Sequence, residues 1–247
     1  MLFVLVGCGN SNQENNASNK SEEKNSNSKL VDLFDKGEIV IGTSLMYDAG
    51  TTASYTSPIG SYNGTITSES NIDKSLGKSG NGYKEQTFTA NGESRWIVIG
   101  KDETKNEILI KPYDSLKNDN DEGLRLQGKI GYIYALDELE KICDVYGHGE
   151  VASSVRCINI DDINRISGYS FGDVEYRDNV VYDKFSYQVV STVKQTYGAD
   201  DYSKYGRYAN TIYAQNRYWI ATQAIDKETN PNTYSLAQYY SEYVSAF

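Results

Sequence analysis

Between Gln86 and Pro112 the chain reads as three β-type runs separated by two turn signals, and this stretch most constrains the fold. Gln86-Thr-Phe-Thr-Ala is the first run, and Asn91-Gly92 is a turn dipeptide. Glu93-Ser-Arg-Trp-Ile-Val-Ile-Gly is the second run, the polar loop KDETKNE follows, and Ile108-Leu-Ile-Lys-Pro returns as a third. Trp96, Ile97, Val98 and Ile99 are the predicted centre of a core. Upstream, Gly37-Glu-Ile-Val-Ile-Gly-Thr has a β-branched apolar centre and predicts another strand. Residues 46–84, rich in Gly, Ser, Thr, Asn and Tyr with Pro58, predict loops and short hairpins.

Helices enter next. In Tyr134-Ala-Leu-Asp-Glu-Leu-Glu-Lys-Ile-Cys-Asp-Val-Tyr-Gly, apolar positions 135, 136, 139, 142, 143 and 146 form one stripe at the helical period. Gly147 is placed to end that helix as a left-handed cap. A second, shorter helix is predicted in Ile158-Asn-Ile-Asp-Asp-Ile-Asn-Arg-Ile-Ser-Gly. Asn159 or Asp161 can cap its start, the acidic pair suits the N-terminal dipole, and Gly168 ends it. From there to Tyr218-Trp-Ile-Ala-Thr the chain predicts strands and loops thick with Tyr and Asp. The expected class is α+β, with short antiparallel strands, two helices and long loops.

Composition narrows the partners. Of 30 aromatic residues in 247, 22 are Tyr, whose polar tip suits strands and wet surfaces, so strand filler is the favoured use of most of them. The net charge is −10 and the pI about 4.7, and no Lys/Arg stripe is present. A nucleic-acid binder needs cations to displace condensed counterions, so no nucleic-acid partner is expected.

The N-terminus indicates location. Leu5-Val6-Gly7-Cys8 resembles the bacterial lipobox, in which a peptidase cuts before a cysteine whose thiol carries a diacylglyceryl group. Two acyl chains anchor stably, since each buried methylene contributes about 0.8 kcal/mol. The competing reading is a short buried strand ending in a turn. No Lys or Arg precedes the apolar run, which is short for a signal core, so residues 1–8 are read as a lipoprotein signal remnant. Residues 9–29 hold almost nothing that could enter a core and read as a disordered tether, about 25 Å long on average. The expected layout is therefore a lipidation site at Cys8, the tether, and a single α+β domain over 30–247. That domain divides into a β/loop part (30–90) and a second part (91–247). The expected place is extracytoplasmic, lipid-anchored to the cell membrane. No other stretch approaches the roughly 20 apolar residues that span a bilayer.

A resemblance bears on the fold. GYKEQTFTANGESRWIVIGKDETKNEILIKP, GKIGYIYALDELEKICDVYGHGE, VRCINIDDINRISGY and RYWIATQ follow one another in an order similar to uncharacterised surface proteins of Firmicutes and their prophages. The later part resembles the C-type-lectin-like fold shared with formylglycine-generating enzymes. The resemblance covers about residues 37–225 and implies a lectin-like architecture for 91–247. Two departures are visible. Those proteins continue past the Tyr-Trp strand into a closing strand that SLAQYYSEYVSAF does not match. The enzymes also need a reactive cysteine pair near the C-terminus, and here no Cys follows 157, so their activity is not carried over.

Residues that could carry chemistry are few. Cys143, His148 and Cys157 make C-x4-H-x8-C, three zinc-type ligands without a local fourth. At a cell surface a Cys143–Cys157 disulfide is the better use, with two ordinary buried thiols as an equal alternative. His148, between two glycines, reads as an exposed loop residue. Asp119-Asn-Asp121-Glu-Gly123 opens like a calcium loop, but its Gly falls at position five and position twelve is Ile130. Asp173, Glu175, Asp178 and Asp183 form a second acidic group in a Tyr-rich stretch. Ca2+ is thus the one cofactor entertained, against solvated loop carboxylates as the plainer reading. With one His and no G-x-S-x-G, a Ser-His hydrolase is not expected. The expected role is non-catalytic binding or display, toward an envelope glycan or a protein partner. The alternatives are a carbohydrate-active enzyme using loop carboxylates, or a subunit of a surface or phage-related assembly.

Overall fold

The computed structural model describes residues 3–6, 30–49, 53–62, 83–90, 92–114, 117, 119–120, 124, 126, 135–147, 152, 154–177, 180–183, 185–198, 208, 211, 217–225, 234–240 and 243–246. Within them the fold is mixed α+β, with mostly short antiparallel strands in three sheets and four helices.

The first sheet has five strands in the order β2-β5-β6-β1-β7, every pair antiparallel. These are β1 (Phe3–Val6), β2 (Ser44–Asp48), β5 (Glu93–Asp102), β6 (Glu107–Pro112) and β7 (Ser154–Cys157). The three runs predicted in 86–112 are present, but the first two belong to different sheets; Asn91 of the predicted turn lies outside the described residues. β4 (Tyr83–Ala90) pairs with β3 (Ala53–Tyr62) in a two-stranded sheet, while β5 pairs with β2 and β6. β3 is longer than the predicted short hairpins, and its register shifts between Ser57 and Ser61, where Pro58 cannot donate to a ladder.

The predicted strand at 37–43 is a correction. Gly37 and Gly42 both take positive φ, +73° and +89°, which breaks the extended run, and the strand begins at Ser44. Ile39 is buried all the same, and Gly42 donates to the Val98 carbonyl. Residues 3–6, for which a short strand is the competing reading of the sequence, form β1; four apolar residues suit a position with a ladder on each side.

Two faces of this sheet are covered. Trp96, Val98, Ile108 and Ile110 pack with Val31 of helix α1 (residues 30–35) and with Tyr47, Val145 and Tyr146. On the other face Ile99 and Leu109 join Ile160, Ile163 and Ile166 of helix α3 (Ile160–Ser167). Trp96 to Ile99 are core, as predicted.

Helix α2 (Leu136–Val145) lies where the stripe predicts, with Ala135, Leu139, Ile142, Cys143 and Tyr146 buried; Leu136 is exposed instead. Its end differs from expectation. Tyr146 is the cap residue at φ −91°, and Gly147 is absent from the positive-φ residues. Gly147 is needed for closeness: a Cβ there would come within 2.9 Å of Val155 Cγ2 on β7. For α3 the sequence signals hold. Asn159 caps it in a capping box with Asp162, and Gly168 ends it at φ +73°.

The six-stranded sheet, β10-β13-β12-β11-β9-β8, packs on the α3 side. It contains β8 (Tyr176–Arg177), β9 (Val180–Val181), β10 (Phe185–Gln188), β11 (Arg217–Ile225), β12 (Tyr234–Tyr240) and β13 (Tyr243–Ala246). All its pairs are antiparallel except β9 with β11. The C-terminal stretch SLAQYYSEYVSAF supplies two strands of this sheet: SLAQYY lies in β12, and β13 returns along it. Helix α4 (Val189–Tyr197) lies within a stretch read as strand and loop, so two predicted helices become four. Val189, Val193 and Tyr197, spaced four apart, pack on the α3 core, and that burial overrides the β-branched preference of the two valines.

Candidate functional site

The site is the neighbourhood of β1, whose four residues join β6 to β7. Leu5 is opposite Ile110 on β6 and Val155 on β7; Val6 is opposite Leu109 and Ser154. Val4 and Phe3 are opposite Arg156 and Cys157. Every residue of β6 is buried, whereas β7 runs from an exposed Ser154 to half-buried Val155, Arg156 and Cys157.

β7 is fixed in place by contacts that owe nothing to β1. From one side α2 approaches through Gly147 against Val155 and through Cys143, whose thiol is in hydrogen-bond contact with Cys157. Both cysteines are reduced in this structure. Burial first, then the Cys157 contact, pushes the Cys143 thiol well above its ordinary range, so it is an unreactive thiol rather than a nucleophile. From the other side α3 takes the Arg156 guanidinium in a two-point fork, Nη1 and Nη2 donating to Asp162 at 2.7 and 2.9 Å. The fully buried Asp162 carboxylate also accepts from Arg165 Nη1 at 3.2 Å and from the Asn159 amide at 2.9 Å. Burial works against the Arg156 charge, but Asp162 more than offsets it and the guanidinium pKa rises.

Two further buried charged groups sit on β6 and α2. Lys111 on β6 is completely buried, donates to the Pro112 carbonyl at 2.9 Å, and has its pKa pulled down to about 8 by desolvation, with Asp114 opposing. Glu138 on α2 accepts from Tyr55 and Ser57 of β3 and from Lys141. Burial alone would raise its pKa, but the Lys141 and Tyr55 hydrogen bonds outweigh that and hold it below the usual carboxylate range. This cluster ties the β3–β4 hairpin to α2.

Of the residues singled out on the sequence, the structure brings Cys143 and Cys157 together. Of the two acidic groups, the described members are placed as follows. Asp119 is exposed and accepts from Thr89 Oγ1 at 2.9 Å, Asp173 is exposed, and Glu175 pairs with Arg177 at 2.8 Å. Cys8, Asp121, His148 and Asp178 lie outside the described residues. Among the described residues no group of three His, Cys, Asp or Glu is placed to hold a metal ion. The Tyr-rich stretch is partly internal: Tyr169 stacks on Tyr187 with centroids 3.6 Å apart, and Tyr197 on Tyr208 at 4.0 Å. Missed on the sequence were Arg156, Lys111 and Glu138. Only Asp162 carried a local signal, three residues after Asn159 as a capping box requires.

No helix among the described residues is long and apolar enough to cross a membrane. No protein-family model, curated protein or solved structure matches the chain.

Proposed function

We propose that this chain is a lipid-anchored, extracytoplasmic binding protein, tied to the membrane through Cys8 and holding an α+β domain of lectin-like architecture clear of it. The observation that carries this reading is Leu5-Val6-Gly7-Cys8 followed directly by the polar run 9–29. A thiol at that spacing can take two acyl chains, and a solvated coil behind it gives the domain reach. The binding role draws on the site around β1. Its charged groups, Arg156 and Glu138, are committed to internal partners, and its exposed boundary is a sheet edge, which recognises extended chain. A protein partner is therefore preferred to an envelope glycan.

Membrane fractionation of cells expressing the full gene tests the anchor. The wild-type protein should sediment with membranes and release with detergent, and Cys8→Ser should leave the domain folded and soluble. A Cys8→Ser variant that remains with the membrane contradicts the reading.

A further inference from the structure

β6 and β7 never pair with each other; β1 alone joins them. On the lipoprotein reading, cleavage before Cys8 removes β1 from the mature chain. We propose that the gap it leaves is a strand-acceptor slot, filled by an extended apolar segment of a protein partner running antiparallel to both β6 and β7. The inference rests on that processing.

The walls of the slot stand without β1. β6 is held by its ladder to β5 from Trp96↔Pro112 to Asp102↔Glu107. β7 is held by α2, through the Gly147–Val155 approach and the Cys143–Cys157 contact, and by α3, through the Arg156–Asp162 fork. Two strands flanking a third are about 9–10 Å apart, which is too far for direct pairing and is the width of one inserted strand. Emptying the slot leaves backbone donors and acceptors on both edges without partners, which is costly wherever water is excluded. An inserted strand satisfies both rows together, a stronger capture than addition to a single edge.

The occupant's chemistry is set by the walls and by the segment seated there now. Ile108, Leu109 and Ile110 are buried, so a charged side chain entering beside them would be desolvated. Both edges of the guest form ladders, so proline is excluded. Phe3-Val4-Leu5-Val6 meets both conditions.

The experiment uses the full chain with a protease site placed within 9–29, cut after folding, and a fluorescent peptide of residues 1–7 as the probe. The labelled peptide should exchange into the cut chain one-to-one, and a Val4→Pro peptide should bind about tenfold more weakly or worse for the lost donor. A cut chain that stays folded and takes up no peptide, or takes up both equally, overturns the slot. As a second route, the full chain carrying Val4→Pro should bind the wild-type peptide while the uncut wild-type chain binds none. Should that variant fail to fold, its refolding on addition of peptide supports the slot, and failure to refold overturns it. N-terminal analysis of the membrane-extracted protein stands apart from these. A chain starting at Cys8 supports a vacated slot; one starting at Met1 overturns processing, and with it the partner, whatever the peptide does.

Discussion

Arg156 and Asp162 form a two-point ion pair that joins the edge strand β7 to the first turn of α3, with the carboxylate fully buried and the guanidinium about one-third exposed. The same carboxylate completes the cap of α3 and takes a third cation-borne hydrogen bond from Arg165. Asp162→Ala removes all of these together. The loss should exceed the ~1 kcal/mol of a cap alone and approach the roughly 3–5 kcal/mol of a broken buried pair. Urea unfolding followed by Trp fluorescence measures it; a change under about 1 kcal/mol would show the pair to be ornamental.

Two glycines with the same backbone angle separate strain from crowding. Gly37 and Gly168 both sit at φ +73°, but a Cβ at Gly37 meets nothing within 4 Å, whereas at Gly168 it would lie 2.3 Å from Thr196 Cγ2 on α4. Gly37→Ala should cost about 1 kcal/mol for the left-handed angle. Gly168→Ala should cost roughly 1–3 kcal/mol more for overpacking. Equal midpoints by thermal unfolding would contradict the α3–α4 contact.

Lys111 gives the fold a pH signature. Its pKa falls from 10.5 to about 8 on folding because burial penalises the charge. Below pH 8 both folded and unfolded chains carry the proton, and the folded state bears the whole penalty, roughly 3 kcal/mol at about 1.4 kcal/mol per pH unit. Between 8 and 10.5 the unfolded chain holds more protons, so this contribution to stability rises with pH. Lys111→Met should therefore be more stable than wild type at pH 7, with the gap closing by pH 10.5. Paired denaturation curves across that range check it, and a constant gap would refute the buried charge.

The Cys143 thiol meets Cys157 across α2 and β7, and oxidation is expected to join them. The loop between them is short, and closing about 15 residues stabilises by roughly 3 kcal/mol. Protein recovered from an oxidising compartment should lose 2 Da relative to its reduced form, and native thiol titration of the reduced protein should be slow until denaturant is added. Fast native reaction at Cys143 would contradict its burial.

What the sequence made legible was local. Asn159, Asp162 and Gly168 announce α3 because capping chemistry acts over three or four residues, and the stripe 135–146 announces α2 for the same reason. Trp96 to Ile99 are buried because four consecutive apolar residues have no wet face to offer. What stayed hidden was set by contacts across the chain. Val189-Val-Ser-Thr-Val reads as strand until Val189, Val193 and Tyr197 are placed on α3. Gly147 reads as a cap until Val155 arrives against it. The β1 slot needs residues 3–6 beside residues 109–110 and 154–157, a pairing that no window of sequence displays.

The lipid anchor proposed at Cys8 is open to direct test. The most direct measurement is intact mass and N-terminal analysis of the chain purified from a membrane fraction. A lipid-anchored protein begins at Cys8 and carries a diacylglyceryl mass. A chain that begins at Met1 and carries no lipid would contradict it, and would make β1 a permanent strand of the sheet.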